Sequence, residues 1–199
     1  MLDYTKRAKN YDKRWQHYCL PSFSKSLQIL DLNQDSRLLD VGCGTGIFLE
    51  ILEKKFPATE FNGIDPNQAM LAKASEKLSR KVHLETGNAE SLPYDSQSFD
   101  WVVLSNCLGH INNQEAALSE ARRVLADDGK IIITDWTRDF LTMRILNLYT
   151  QLFDYAEYNS LKSSETLEML EKLRFNCISR ESYKINWFWG LYTILAVKG

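Results

Sequence analysis

The fold of this 199-residue chain is indicated most clearly by the segment Leu38-Leu39-Asp40-Val41-Gly42-Cys43-Gly44-Thr45-Gly46. A short apolar run ends in a turn that holds three of the nine glycines, and apolar residues then recur at helical spacing from Ile47 to Phe56. Because glycine has no Cβ, such a turn lets a ligand approach the backbone, while the start of the helix offers free N–H groups. A strand, a glycine bend and a helix in this order predict a nucleotide or nucleoside site.

The spacing of the glycines and the lack of nearby positive charge narrow the choice of ligand. The dinucleotide fingerprint G-x-G-x-x-G would need its third glycine at Ile47, and a P-loop would need Gly-Lys-Ser/Thr. No Lys or Arg lies between Leu38 and Glu53 to meet phosphates. Asp65 ends the next apolar run 19 residues after Gly46, where a carboxylate can accept hydrogen bonds from both hydroxyls of a ribose. We therefore expect a nucleoside ligand without a pyrophosphate.

Strands and helices are predicted to alternate on both sides of the bend. The predicted strands are Arg37–Val41, Phe61–Asp65, Val82–Thr86, Phe99–Leu104 and Lys130–Asp135, and the predicted helices are Ile47–Phe56, Pro66–Leu78 and Glu115–Leu125. Strands as apolar as these are typical of a parallel sheet covered by helices on both faces. Pro66 suits the first position of its helix, and Gly129 is expected to close the helix before the fifth strand.

The order of elements changes after residue 136. A long apolar helix over Arg138–Tyr155 is expected to form core and pocket wall, with a dimer or membrane-surface contact as the alternative. The remaining elements are a helix from Ser163 or Ser164 to about Leu173 and two strands at about Cys177–Ile185 and Leu191–Val197. The predicted fold class is α/β, with a doubly wound, mostly parallel, seven-stranded Rossmann-like sheet and a C-terminal antiparallel hairpin.

Composition and charge argue against several classes of protein. Hydrophobic residues make up 44% and charged residues 25%, which is typical of globular chains, and the net charge of −2 lacks the basic surplus of nucleic-acid binders. No apolar run approaches the ~20 residues that cross a bilayer, and none follows the basic start as a secretory signal would require. The four cysteines lie far apart, which argues against zinc or a disulfide framework. A single cytoplasmic domain over residues 1–199, without a metal and as a monomer or homodimer, is expected.

Four segments in order resemble the class I S-adenosylmethionine-dependent methyltransferases, in particular the small-molecule branch that includes quinone and sterol methyltransferases. They are the glycine bend, Gly63–Asn67, Gly87–Asp100 and Arg122–Lys130, all within residues 37–135, the expected cofactor-binding core. By this resemblance, residues 1–30 would form an N-terminal helical lid that carries Tyr11-Asp12. Residues 136–199 would supply the acceptor-side helices and the terminal hairpin.

The resemblance implies which residues hold S-adenosylmethionine. Gly42, Gly44 and Gly46 would let the backbone approach the methionyl part and the ribose, Asp40 would reach toward the methionine amino group, and Asp65 would hold the ribose hydroxyls. The other expected cofactor contacts are Tyr11, Pro66, Met70, Asn88, Ala89, Ser105, Asn106 and Leu108. Asn88 departs from the family, which usually has Asp there, but an amide can still accept from and donate to the adenine edge.

The sequence offers only two candidates for a catalytic residue, His110 after the fourth strand and Tyr11. Methyl transfer is an in-line displacement at a carbon already activated by a sulfonium, so proximity and alignment contribute most, and a base is needed only if the acceptor must lose a proton. An ordinary loop histidine is the alternative interpretation of His110. The amino-methylating nucleic-acid enzymes carry Asn/Asp-Pro-Pro-Tyr after strand four, where this chain has Ser105-Asn106-Cys107-Leu108. Nucleic acid is therefore not the expected acceptor.

Aromatic residues accumulate where the acceptor is expected. They are Tyr4, Tyr11, Trp15 and Tyr18 on one side of the N-terminal helix, Trp136 at the end of the fifth strand, and Trp187 and Trp189 in the terminal hairpin. Such rings can wall an apolar or aromatic acceptor or hold a cation, with core packing as the alternative. The predicted function is methyl transfer from S-adenosylmethionine to a small, apolar or aromatic molecule. A non-catalytic S-adenosylmethionine-binding module and a nicotinamide-dependent oxidoreductase are the alternatives.

Overall fold

The computed structural model describes residues 8–152 and 159–199, which form seven strands and six α-helices. The strands are β1 (Leu38–Val41), β2 (Phe61–Asp65), β3 (Val82–Thr86), β4 (Phe99–Ser105), β5 (Leu125–Trp136), β6 (Phe175–Lys184) and β7 (Gly190–Lys198). The helices are α1 (Tyr11–Ile29), α2 (Ile47–Lys55), α3 (Gln68–Ser75), α4 (Gln114–Val124), α5 (Leu141–Leu152) and α6 (Ser163–Lys172), and a 3₁₀ turn (Leu108–His110) follows β4.

The seven strands form one sheet in the order β3-β2-β1-β4-β5-β7-β6. β1 to β5 pair in parallel, and β7 runs antiparallel to both β5 and β6. The predicted fold class is confirmed. The strand order reverses between β1 and β4, and in open α/β sheets the crevice at the carboxyl ends of such a pair is where ligands bind.

Helices cover the central sheet on both faces. Leu38 of β1 packs in the cluster beneath α1, α2 and α3, whereas its neighbours Leu39 and Val41 pack in the cluster beneath α4 and α6. Successive side chains of a strand point to opposite faces, so all four residues of β1 are buried. This double burial explains why the central strands are apolar throughout.

Two predicted helix ends are wrong. α3 begins at Gln68 instead of Pro66, because the side chain of Asn67 accepts the N–H groups of Ala69 and Met70 and so provides the cap. Gly129 does not close α4. The chain is already extended at Leu125, and Gly129 lies within β5, where the register against β4 shifts between Leu125 and Lys130.

The predicted packing of the long apolar helix is also wrong. α5 ends at Leu152, and the last three residues of the predicted helix lie outside the described residues. Met143 is buried, but five large apolar side chains are between 51% and 70% exposed: Leu141, Ile145, Leu148, Tyr149 and Leu152. α5 therefore does not form part of the main core. None of the helices within residues 8–152 and 159–199 combines the length and the apolar character needed to cross a bilayer.

Candidate cofactor site

The glycine bend lies between β1 and α2 and is held against the end of β2. Gly42, Gly44 and Gly46 have φ angles of 72°, 55° and 75°, in the left-handed region that glycine adopts without steric cost. The N–H groups of Gly42 and Cys43 both donate to the carbonyl of Ile64, at 2.8 and 3.1 Å. These bonds hold the bend against the end of β2, where Asp65 is the last residue.

Asp65 is attached to the bend through its carboxylate. One carboxylate oxygen accepts the N–H of Gly44 at 2.9 Å, and the other accepts the N–H of Asn67 at 2.8 Å. Burial raises the pKa of Asp65, and these two N–H donors counteract part of that rise. Each carboxylate oxygen has a further lone pair, so the group can still accept two ribose hydroxyls.

A cavity of about 320 Å³ opens between the bend, the end of β2 and the loop after β4. Its volume falls within the range of small-molecule sites. Of the residues expected at the site, those that line it are Tyr11, Gly42, Gly44, Asp65, Pro66, Met70, Asn88, Ala89, Asn106 and His110. The tertiary structure therefore brings most of the expected cofactor contacts around one space.

A second cavity of about 60 Å³ lies behind the bend and is lined by Asp40 and Ser105. Asp40 is 2% exposed, and its pKa is raised well above the usual range by burial and by the negative charge of Asp65. The hydroxyl oxygen of Ser105 is buried and has no hydrogen-bond partner among the described residues. A ligand that brings a positively charged amino group with N–H donors would satisfy both groups, and methionine has such a group. The residues at this end fit S-adenosylmethionine.

Gly46 and Leu108 differ from the other expected contacts because they line neither cavity. A Cβ on Gly46 would lie 2.8 Å from Leu78 and 3.0 Å from Ala74, so this glycine permits the close approach of α2 and the α3 region. Leu108 is buried in the core beneath α4. Both residues are in packing contact with neighbouring elements, and their role at the cofactor stays a prediction.

Residues that were not among the expected cofactor contacts also line the larger cavity: Val41, Ile64, Asn67, Gly87, Glu90, Ile111 and Asn112. The first five belong to the segments that carry the family resemblance, whereas Ile111 and Asn112 only follow His110 in the chain. Cys107 lines the cavity too, as expected of the stretch from Ser105 to Leu108. His110 lies among these lining residues, with Asn88 and Ala89, and therefore beside the expected adenine position. Tyr11, in contrast, lines both cavities.

Helix α1 is tied to the bend through Asp12. One carboxylate oxygen of Asp12 accepts the hydroxyl of Thr45 at 2.5 Å, and the other forms an ion pair with Lys77. Thr45 belongs to the bend and Lys77 follows α3, so one side chain connects three parts of the site. This arrangement suits the predicted N-terminal lid, although residues 1–7 lie outside the described part of the chain.

An aromatic cluster flanks the loop after β4. Five ring contacts join Trp15, Tyr18, Trp136 and Trp189, with centroid distances from 4.7 to 6.5 Å. The Tyr18 hydroxyl donates to the side-chain oxygen of Asn106 at 2.5 Å and accepts the indole N–H of Trp136. The predicted aromatic groups thus meet beside the cofactor cavities. Trp187 stands apart at 81% exposure, and Tyr4 lies outside the described residues.

Sequence comparisons point to one family. A methyltransferase domain family matches residues 39–133. The ubiquinone/menaquinone biosynthesis C-methyltransferase UbiE of Campylobacter jejuni is 36% identical over 114 residues, which cover 55% of this chain and 48% of that protein. The demethylmenaquinone methyltransferase of Staphylococcus aureus is 30% identical over 162 residues, which cover 78% of this chain and 67% of that protein. The chain thus spans about half the length of the Campylobacter relative.

Solved structures share the fold at low sequence identity. A chain from the complex between the Haloferax volcanii Trm112 methyltransferase activator and a methyltransferase has a TM-score of 0.85 and 14% identity, covering 98% of this chain and 97% of that one. An S-adenosylmethionine-dependent methyltransferase of Thermotoga maritima has a TM-score of 0.78 and 21% identity, covering 97% of each chain.

The fold is Rossmann-like, and the cavity lies at the switch point of its sheet, where ligands bind in such folds. The sequence similarity is more specific. This chain belongs to the class I S-adenosylmethionine-dependent methyltransferase family, whose cofactor is S-adenosylmethionine.

Proposed function

We propose that this protein transfers the methyl group of S-adenosylmethionine to a small, apolar or aromatic acceptor. The observation that carries the proposal is the carboxylate of Asp65 bonded to the N–H of Gly44 at the edge of a cavity of nucleoside size. The names of the Campylobacter and Staphylococcus relatives favour a quinone or a related ring as the acceptor. A nicotinamide-dependent reaction is not favoured by any of these observations.

Different residues of the site would hold different parts of the cofactor. Asp65 would accept the ribose hydroxyls, Asn88 and Ala89 would face the adenine, and Asp40 with Ser105 would receive the methionine end. When bound, the cofactor supplies a methyl group on a sulfonium, which a nucleophile can displace directly. The protein then needs mainly to hold both reactants in line, which can contribute ~7–11 kcal/mol of the barrier.

The acceptor would approach beside Asn106, which lines both cavities. Asn106 has a φ of 58°, and its side chain is held by Tyr18 on one side and by Ser22, 2.9 Å away, on the other. Such a fixed polar group beside an aromatic cluster can orient a ring that carries oxygen atoms. Tyr11 also lines both cavities and stays the candidate for a catalytic residue near the methyl group.

Calorimetry with S-adenosylhomocysteine tests the cofactor part of the proposal. We expect the wild-type protein to bind it, and Asp65→Asn to bind at least about tenfold more weakly because a charged acceptor is lost. Asp35→Asn, which changes an exposed carboxylate far from the site in the same way, should bind as the wild type does. Absence of binding to the wild type at millimolar ligand would contradict the proposal.

A turnover assay with quinones, phenols and amines tests the acceptor part. Methylated product from an aromatic acceptor is the expected result. Binding of S-adenosylhomocysteine without any turnover across the panel would instead support the non-catalytic binding module.

A further inference from the structure

The exposed apolar residues of α5 form a continuous stripe on one side of the helix. At 3.6 residues per turn, Leu141, Ile145, Leu148, Tyr149 and Leu152 fall within an arc of about 100°. Met143 lies on the opposite side and is only 2% exposed. The helix therefore rests on the protein by one side and presents an apolar side outward. We call these five residues the α5 stripe.

The tip of the β6–β7 hairpin is fixed beside the start of α5. The hydroxyl of Thr142 donates to the carbonyl of Phe188 at 2.7 Å. The ammonium of Lys184 donates to the carbonyl of Trp187 at 2.9 Å and lies 5.5 Å from the centre of the Phe140 ring. Trp187 is 81% exposed at this tip. A large exposed indole thus stands next to the α5 stripe on a well-supported turn.

Two exposed cations lie at this surface among the described residues. Arg144 is the single charged residue of α5, it is exposed, and no acidic residue occurs in the helix. Lys184 adds a second exposed cation at the hairpin tip. Asp139, the acidic residue that precedes the helix, already accepts the hydroxyls of Ser163 and Ser182 at 2.7 Å each. The two cations, Arg144 and Lys184, therefore favour a partner that carries anionic groups.

The size of the α5 stripe argues against a second copy as the partner. A helix of 12 residues is about 18 Å long and about 10 Å wide, so one side of it covers about 180 Å². Each partner in a stable protein interface buries ~800 Å², which is far more. A bilayer surface needs no such area, because apolar side chains enter below the headgroups, indoles prefer the interface, and cations meet phosphates. We propose that the α5 stripe and Trp187 dock this protein peripherally on membranes that contain anionic phospholipids.

Docking by this surface would orient the site toward the lipid. α5 follows the carboxyl end of β5 at Trp136, and the hairpin tip lies at the same end of the sheet, since Thr137 donates to the carbonyl of Gly190. An apolar acceptor dissolved in the bilayer would then reach the aromatic cluster without crossing water. This last consequence rests on the proposed function, whereas the docking itself does not, because the α5 stripe and Trp187 line neither cavity.

Vesicle co-sedimentation tests the proposal. The probes are vesicles of phosphatidylcholine with phosphatidylglycerol and vesicles of phosphatidylcholine alone. We expect the wild-type chain to bind the anionic vesicles more strongly, and Ile145→Gln/Leu148→Gln to partition at least about tenfold less, since two exposed apolar side chains are lost. Gln keeps a high helix propensity, and Trp187→Gln repeats the test outside the helix. The matched control is Ile178→Gln, which removes an equally exposed apolar side chain on β6.

Four results would overturn the proposal: no binding of the wild type to anionic vesicles, undiminished binding by both the double variant and Trp187→Gln, equal loss in Ile178→Gln, or a dimer in sedimentation velocity that the double variant abolishes. The last result would assign the surface to a second copy of the chain. Calorimetry with S-adenosylhomocysteine on the same preparations separates the two proposals. Vesicle binding without cofactor binding would reject the proposed function and retain the docking surface.

Discussion

At the scale of single residues, the three glycines of the bend share a backbone conformation but differ in what surrounds them. A Cβ on Gly44 would meet nothing within 4 Å, whereas a Cβ on Gly42 would lie 2.7 Å from Cys107, and one on Gly46 would press on Leu78 and Ala74. Gly44 therefore faces open cavity space and Gly46 serves the packing of neighbouring elements, while Gly42 does both, since it lines both cavities and lies against Cys107. The motif is one pattern in the sequence with two physical purposes.

Alanine at Gly44 and at Gly46 should separate these purposes. Because alanine disfavours the left-handed backbone at both positions, each variant should lose about 1–2 kcal/mol of unfolding free energy. Gly46→Ala should lose about 1–3 kcal/mol more through overpacking. Gly44→Ala should stay the more stable of the two but bind S-adenosylhomocysteine more weakly, because its methyl group enters the cavity. Urea denaturation and calorimetry measure the two effects, and equal destabilisation with unchanged affinity would contradict this assignment.

The buried carboxyl of Asp40 is expected to lower the stability of the fold while it strengthens cofactor binding. Its pKa is raised in the folded state, first by burial and then by Asp65, so holding it ionised costs stability once the pH exceeds the unfolded value of about 4. Asp40→Asn should therefore be more stable than the wild type at neutral pH, and this advantage should shrink as the pH falls toward about 4. The variant should also bind S-adenosylhomocysteine more weakly. Urea unfolding across this pH range is the measurement, and an Asn variant less stable at neutral pH would refute the prediction.

At the scale of elements, α1 is the part of the structure best placed to cover the cofactor. It contributes Tyr11 to both cavities and Tyr18 to the aromatic cluster, and Asp12 ties it to Thr45 and Lys77. The ion pair of Lys25 with Glu181 also holds the helix, and like the pair of Asp12 with Lys77 it is solvent-accessible. What distinguishes Asp12 is that it also accepts the hydroxyl of Thr45, a buried residue of the bend.

Removing Asp12 should loosen α1 more than removing Lys25. Asp12→Ala leaves the buried hydroxyl of Thr45 without its acceptor, a loss of about 1–3 kcal/mol, whereas an exposed pair such as that of Lys25 contributes about 0–1 kcal/mol. Hydrogen exchange over residues 11–29 should be faster in Asp12→Ala than in Lys25→Ala, and S-adenosylhomocysteine should slow it in the wild type. Equal exchange in both variants would show that Asp12 is not the main tie.

At the scale of the whole molecule, cofactor binding should raise the stability of the entire fold. The site joins β1, β2, β4 and α1, so a ligand there contacts most of the sheet's centre. At about one hundred times its dissociation constant, S-adenosylhomocysteine should add ~2.7 kcal/mol, which raises the melting temperature of a chain of this size by roughly 5–11 °C. NADH at the same concentration should leave it unchanged. A shift with NADH and none with S-adenosylhomocysteine would favour the oxidoreductase alternative.

The order of apolar runs, glycines and acidic residues along the chain was enough to predict the sheet and the proximity of Asp65 to the glycine bend. Apolar runs punctuated by glycine fix where strands begin and end, and neighbouring parallel strands bring their carboxyl ends to one edge. Asp65 at the end of β2 therefore had to lie near the bend after β1. The aromatic residues Tyr18 and Trp136 were likewise predicted from the sequence to lie on the acceptor side, where the carboxyl ends of the parallel strands meet.

Which residues face solvent, a cavity or each other could be learned from the folded chain alone. The sequence of α5 is typical of a core helix, yet only one side of the helix packs against the protein. No described element covers Leu141, Ile145 or Leu148. The tie from Asp12 to Lys77 spans 65 residues, and no local pattern encodes such a contact. Burial depends on what the rest of the chain places opposite a side chain, and that is a property of the assembled fold.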